Sequence, residues 1–152
     1  FGQFADLRLF CANRWGDKDM VEIHYVLKSV KTLRNACSHN SCIVNGFTAS
    51  AAKSGYPTPE VMLASMNAHG VRNGRSRKAK LANLRIAQIA AALFASSIFC
   101  TRSSTRKRHA EAMGKAGDAI ARTAPLQPSD GSLASYFDFL LKLVDIWTPR
   151  LP

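Results

Sequence analysis

Hydrophobic residues recur every three or four positions along most of this chain, which is the period of an amphipathic helix. The first such run begins at Phe4 and ends at Trp15 and Gly16, and it predicts a short helix closed by glycine. The next run predicts a long helix over residues 17–39. Its single apolar stripe is formed by Met20, Ile23, Leu27, Val30 and Cys37, with Arg34 on the same stripe.

The middle of the chain predicts a loop and two further helices. Residues 40–57 are rich in Asn, Gly, Ser and Pro and predict a connecting loop, with a short extended piece at 42–44. A brief third helix is expected to start at Thr58-Pro59-Glu60 and to stop at Gly70. A fourth helix, over residues 83–101, contains an apolar stretch too short to span a bilayer, so it should be a buried core helix.

The C-terminal third predicts two helices around a linker. A weaker fifth helix is expected over residues 102–121, and Pro, Ser, Asp and Gly at 125–131 form the linker. Ser132 caps a last helix whose apolar face, including Trp147, can serve the core or a dimer interface. The sequence therefore predicts an all-α fold, a bundle of five to six helices in a single domain spanning residues 1–152. Because the chain opens at Phe1 within a helical pattern, we also expect it to be the C-terminal part of a longer protein.

The charge of the chain indicates a polyanionic partner. Its 21 Lys and Arg against 10 Asp and Glu give a formal charge of +11, for which nucleic acid is the first candidate and an anionic membrane surface the second. Two basic runs are the candidate RNA-binding residues, which would hold phosphates without selecting sequence, although they can equally be solvated faces. These residues are Arg72, Arg75, Arg77, Lys78 and Lys80, then Arg102, Arg106, Lys107 and Arg108.

The aromatic residues, cysteines and remaining histidines carry weaker signals. Trp15, Tyr25, Phe47 and Tyr56 could stack on unpaired bases, although such aromatics more often lie in the core. Four cysteines lack the density and spacing of a secreted disulfide scaffold, so we expect a cytoplasmic protein that does not enter membranes. Cys37, His39 and Cys42 lack a second C-x2-C pair, so Cys37 is expected in the core, and neither a metal nor a cofactor is predicted. The other histidines, expected at the surface or half-buried without a catalytic partner, are His24, His69 and His109.

A polar cluster is predicted at the end of the long helix. Asn35 and His39 are four residues apart and share a face, and Arg34 flanks it. Burying Arg34 on the apolar stripe would be costly unless an acidic partner, a cleft or a second subunit receives it. Alternatively, Arg34 and His39 are only a helix-end cation and a C-terminal cap.

The run Arg34-Asn35-Ala36-Cys37-Ser38-His39 matches the R-x4-H motif, with a polar residue after the arginine, of the HEPN superfamily. The surrounding residues 17–46 resemble its Abi-like (abortive infection) branch, with looser similarity in the helix after Lys80 and in the last helix. The resemblance implies a HEPN-like bundle that cleaves RNA without a metal, as a homodimer, through attack of the RNA's own 2′-OH. His39 would then be the general base or acid, Arg34 would stabilise the phosphorane, and Asn35 would orient His39 or a phosphate oxygen.

The same resemblance implies a role in phage defence or as a toxin, with an antitoxin or a larger complex as partner. Two other functions stay open on the sequence. The first is a non-catalytic RNA-binding or assembly domain of a larger complex. The second is a helical DNA-binding protein that uses the two basic runs.

Overall fold

The computed structural model describes residues 5–48, 51–123 and 131–148. Within these ranges the chain is all-helical and has no strand, which confirms the predicted fold class. One isolated bridge joins Lys53 to Asn83, and one 3-10 turn, Val44–Gly46, stands where an extended piece was predicted at 42–44. The six helices of the described ranges are α1 (Ala5–Ser38), α2 (Glu60–Ala68), α3 (Arg75–Ala82), α4 (Leu84–Phe99), α5 (Ser103–Thr123) and α6 (Gly131–Trp147).

Helix α1 is one continuous element of 34 residues, so the predicted break at Trp15 and Gly16 is wrong. A glycine inside a helix costs only about 1 kcal/mol relative to alanine, whereas a second helix would require its own nucleation. Glycine at this position is therefore tolerated, and it does not end the helix.

The C-terminal end of α1 is closed by a Schellman motif. Asn40 adopts a left-handed conformation with φ 53°. Its N–H donates to the carbonyl of Cys37 (3.1 Å), and the N–H of Ser41 donates to the carbonyl of Ala36 (2.9 Å). Asparagine tolerates this backbone region better than most residues, so the sequence itself fixes the end of α1 just after the polar cluster.

Helix α4 lies at the centre of the bundle and contacts α1, α3 and α6. It is capped by Asn83, whose side-chain oxygen accepts from the N–H groups of Arg85 (3.0 Å) and Ile86 (3.2 Å). The prediction of a buried core helix is confirmed, and even Gln88 is buried, where it accepts from Arg85 Nη1 (2.9 Å). No helix in the described ranges is long and apolar enough to cross a membrane.

The last helix completes the core. Trp147 is buried against Phe94, with ring centroids 5.3 Å apart, and its Nε1 donates to Ser65 Oγ (2.9 Å) on α2. The Trp147 indole therefore packs in the core of its own chain, which was one of the two roles predicted for the apolar face of this helix. Helix α5 continues through Gly114 and Gly117. Residues 125–130 of the linker predicted at 125–131 lie outside the described residues.

Candidate functional site at the end of the first helix

The hydrophobic core ends part of the way along α1. Ile23 and Val26 are buried and Leu27 and Val30 pack against them, but no described residue of α1 after Val30 belongs to the core cluster. Residues 31–42 are exposed or half-buried, so the last turns of α1 project beyond the core. The candidate residues of the R-x4-H motif lie on this projecting end.

One prediction about the apolar stripe is wrong for this reason. Cys37 was expected to be a core cysteine, but its side chain is exposed, and Arg34 on the same stripe is exposed as well. The helical period continues past the point where partner helices cover it. Arg34 therefore needs no buried partner within this chain, and its guanidinium is accessible to an anion from solvent.

Arg34 and Asn35 are joined directly. Arg34 Nη1 donates to Asn35 Oδ1 over 3.1 Å, which orients the guanidinium along the helix surface. A hydrogen bond between adjacent exposed residues contributes little to stability, so its main effect is to limit the positions that the two side chains adopt. The structure thus brings together two of the three predicted catalytic residues.

His39 occupies the C-cap position of α1. Its backbone N–H donates to the carbonyl of Asn35 (3.0 Å), and the imidazole is exposed. Among the described residues, no hydrogen bond joins the His39 ring to Arg34 or to Asn35. The ring therefore lies near Asn35 at the end of α1 and is accessible to a substrate, but neither Arg34 nor Asn35 orients it.

The first basic run was predicted to be exposed along its whole length. In the structure it is exposed only in part. Arg72, Arg75 and Lys78 are exposed, but Arg77 is buried at 4% exposure. It points away from solvent because α3 is a helix whose inner face carries both Arg77 and Leu81. Arg77 Nη1 donates to Asn67 Oδ1 (2.8 Å) and to the carbonyl of Val71 (3.0 Å), whereas its buried Nε has no hydrogen-bond partner among the described residues.

Lys80 is half-buried and lies against α6. Its Nζ is 5.4 Å from the centroid of the Phe139 ring. Burial lowers the pKa of Lys80, nearby Lys142 lowers this pKa further, and Asp138 partly opposes the shift by raising it. Lys80 therefore interacts chiefly with α6 and is less available to RNA than its neighbour Lys78. The four basic residues of the second run, Arg102, Arg106, Lys107 and Arg108, are all exposed.

A groove of about 580 Å³ opens beside α3. Its walls are formed by the 54–58 segment, by α2 and by α3, and they include Tyr56, Glu60, Arg77 and Lys78. This volume is within the range of about 300–1,000 Å³ that is usual for ligand clefts. No sequence pattern predicts this groove, because its walls come from three separate segments of the chain.

Tyr56 also contacts α1. Its ring lies 5.5 Å from that of Tyr25, and Lys28 Nζ is 4.2 Å from the Tyr56 ring centroid and 2.6 Å from its hydroxyl oxygen. Tyr25 and Tyr56 are 36% and 48% exposed, whereas Phe47 is buried in the core. Trp15 belongs to the part of α1 whose side chains lie outside the described residues. Two of the four aromatics proposed for base stacking are thus exposed and adjacent.

His109 has a partner that its sequence position did not reveal. Its Nδ1 is 2.6 Å from Ser96 Oγ, and Ser96 lies 3.8 Å from Cys100 Sγ. The cavity beside them measures about 20 Å³, room for about one water molecule. The hydrogen bond joins the C-terminal part of α4 to the N-terminal part of α5. His24, His69 and His109 are exposed, as predicted.

Among the residues that the structure describes, no three His, Cys, Asp or Glu side chains are grouped closely enough to hold a metal ion. Cys37, Cys42 and Cys100 are free thiols. Comparison of the chain with family models, curated proteins and solved structures gives no match. The resemblance to HEPN domains stays a prediction that rests on the motif at residues 34–39.

Proposed function

We propose that this protein is a metal-independent endoribonuclease of the HEPN type, with Arg34, Asn35 and His39 as its catalytic residues. The observation that carries the proposal is the position of these residues at a projecting, solvent-exposed helix end, where Arg34 is hydrogen-bonded to Asn35. An imidazole can transfer protons, and a guanidinium and an amide can donate hydrogen bonds to a charged phosphorane, so these groups on an accessible surface suit phosphodiester transesterification.

The reaction would proceed by in-line attack of a ribose 2′-OH on the adjacent phosphorus. The 2′-O–P bond forms while the P–O5′ bond breaks, giving a 2′,3′-cyclic phosphate and a 5′-OH. Histidine suits proton transfer near neutral pH, so His39 takes the 2′-OH proton or supplies one to the leaving 5′ oxygen. Arg34 donates two hydrogen bonds to the charged phosphorane, and Asn35 holds Arg34 or a phosphate oxygen.

The proposal includes a homodimer, because a base and an acid are both needed and each chain supplies one His39. The apolar stripe of α1 continues past the core at Leu33 and Cys37, and a second copy packing there would bury it and bring two motifs together. Activity should then fall more steeply than in proportion to concentration when the enzyme is diluted through its dimer dissociation constant. A fully active monomer would contradict this part of the proposal.

The decisive experiment incubates the wild type and the His39→Ala variant with labelled single-stranded RNA in EDTA and identifies the end groups of the products. We expect cyclic phosphate and 5′-OH ends from the wild type alone. The control is His69→Ala, which removes an exposed histidine outside the motif and should leave cleavage unchanged. Loss of wild-type cleavage in EDTA, or cleavage that survives in His39→Ala, would refute the mechanism.

The net charge of +11 supports a second candidate, a domain that binds nucleic acid without cutting it. RNA binding with no cleavage by the wild type would favour a binding or assembly domain. Tighter binding to duplex DNA than to RNA would favour the DNA-binding alternative. A place in phage defence, and an antitoxin partner, follow only if the nuclease activity is found.

A further inference from the structure

We propose that the groove between the 54–58 segment, α2 and α3 binds an unpaired stretch of RNA, with Tyr56 stacking on a base and Arg77 and Lys78 attracting the phosphates. The choice of RNA as the ligand rests on the proposed function. The binding itself does not require that the protein cleave RNA.

The first support is the buried charge of Arg77. Its hydrogen-bond acceptors in the described structure, Asn67 Oδ1 and the Val71 carbonyl, are neutral, and its Nε has no hydrogen-bond partner there. A buried guanidinium whose hydrogen-bond partners are all neutral is less stable than one paired with an anion. An anion in the groove that Arg77 lines would offset this cost, and exposed Lys78 on the same wall adds to the attraction.

The second support is Tyr56, an aromatic side chain at the edge of the groove. Tyr56 lines the groove and is 48% exposed, and it is held against Tyr25 and Lys28. A fixed, half-exposed tyrosine is a platform on which an unpaired base can stack, and stacking tolerates any base. A duplex cannot offer its bases in this way, so the groove should prefer single strands.

The third support is the short distance along α1 from Lys28, which contacts Tyr56, to the candidate catalytic residues. Lys28, Asn35 and His39 share one face of α1, because positions seven and eleven residues apart coincide on a helix. At about 1.5 Å per residue, Asn35 lies about 10 Å and His39 about 16 Å from Lys28 along the axis. A strand stacked on Tyr56 would reach the catalytic residues within a few nucleotides.

Two acidic features define the limits of the site. Glu60 lines the groove and would repel a phosphate, so the backbone should follow the α3 wall with Arg77 and Lys78. A separate groove of about 430 Å³ between α5 and α6 is lined by Asp118 and Asp145, which makes it unsuited to RNA. Charge thus favours the groove beside α3 over the groove between α5 and α6.

The test measures binding in the His39→Ala background, where RNA is not cut, using fluorescence anisotropy with a short labelled single-stranded RNA. Tyr56→Leu should weaken binding about 5- to 150-fold, the range expected for one lost base stack, whereas Tyr56→Phe should bind nearly as well as the parent. Lys78→Gln should weaken binding several-fold and lower its salt dependence, and Arg77→Gln should do the same. The matched control is Lys115→Gln, which removes one exposed charge from α5.

The outcomes separate this proposal from the nuclease proposal. Groove variants that bind like Lys115→Gln, no RNA binding by the parent, or equal affinity for duplex DNA would overturn the groove assignment. Weakened binding in Tyr56→Leu and Lys78→Gln, together with a wild type that never cleaves, would uphold the groove and refute the nuclease. Because Tyr56 and Lys78 are exposed, circular dichroism should show both variants folded.

Discussion

Asn83 donates its side-chain amide to the backbone carbonyl of Gly46 over 2.7 Å, so the residue that caps α4 also holds the loop after α1. The same nitrogen is 3.4 Å from the carbonyl of Thr48. One buried amide thereby fixes the start of the central helix and the chain that follows the candidate catalytic residues.

Asn83→Ala should lower the free energy of unfolding by about 2–4 kcal/mol, because it removes a helix cap and leaves buried backbone groups unpaired. Asn83→Asp keeps the acceptor oxygen for the cap but sets a carboxylate against the Gly46 carbonyl, so it should also be destabilising. Urea unfolding measures both. Asn73→Ala, at an exposed loop position, is the control, and equal stabilities for Asn83→Ala and the control would contradict the assigned role.

Glu22 on α1 caps α2 from outside that helix: its Oε2 accepts from the N–H of Glu60 over 2.6 Å. Glu22→Ala should cost about 1 kcal/mol of stability, and Glu22→Gln less, because glutamine retains an acceptor and loses only the favourable charge at a helix N-terminus. Glu111→Ala makes the same change at an exposed site on α5. If Glu22→Ala is no less stable than Glu111→Ala in urea, the cap contributes nothing.

Arg34→Lys tests the bidentate role that the proposed mechanism gives to arginine. Lysine keeps the charge but lacks the planar fork, so kcat/KM for single-stranded RNA should fall about 100-fold with helicity unchanged. Arg72→Lys, at an exposed position before α3, should have little effect. Full activity in Arg34→Lys would show that a point charge is enough and that the guanidinium is not specifically required.

The lowered pKa of Lys80 predicts the direction of one pH effect. The pKa of Lys80 in the folded protein lies below the usual value of 10.5, which applies to the unfolded chain. Between these two pKa values the unfolded chain binds more protons than the folded protein. The free energy of unfolding should therefore rise as pH increases through this alkaline range. Comparing ΔG of unfolding against pH for the wild type and Lys80→Gln isolates this contribution from other titrating groups. The wild type should show the steeper rise, whereas a shallower one would contradict the direction assigned to Lys80.

The Ser96 and His109 pair should be structural. Ser96→Ala removes the 2.6 Å contact with His109, an exposed hydrogen bond, so it should cost at most about 1 kcal/mol and leave RNA cleavage unchanged. Cleavage rate and urea midpoint are measured on the same preparation. A large loss of cleavage at normal stability would move the catalytic site from α1 to this pair.

The sequence by itself determined most of the helices and several of their ends, but it did not predict α3 or the continuity of α1 through Gly16. Periodicity, Pro59 before α2, Gly70 with its positive φ, and Asn83 before α4 act over a few residues, so they can be identified without knowing the fold. It also placed Arg34, Asn35 and His39 near one helix end, because the spacing of residues on a helix is a local property. The catalytic role of these three residues stays a prediction.

Only the tertiary structure decided where the core stops along α1, and therefore that Arg34 and Cys37 are exposed although their stripe is apolar nearer the middle of the helix. It also decided that Arg77 is buried while Arg75 and Lys78 are not, and that Tyr56 meets Lys28 across 28 positions of sequence. Burial and grooves depend on which distant segments cover a side chain, and periodicity within one segment carries no information about its neighbours.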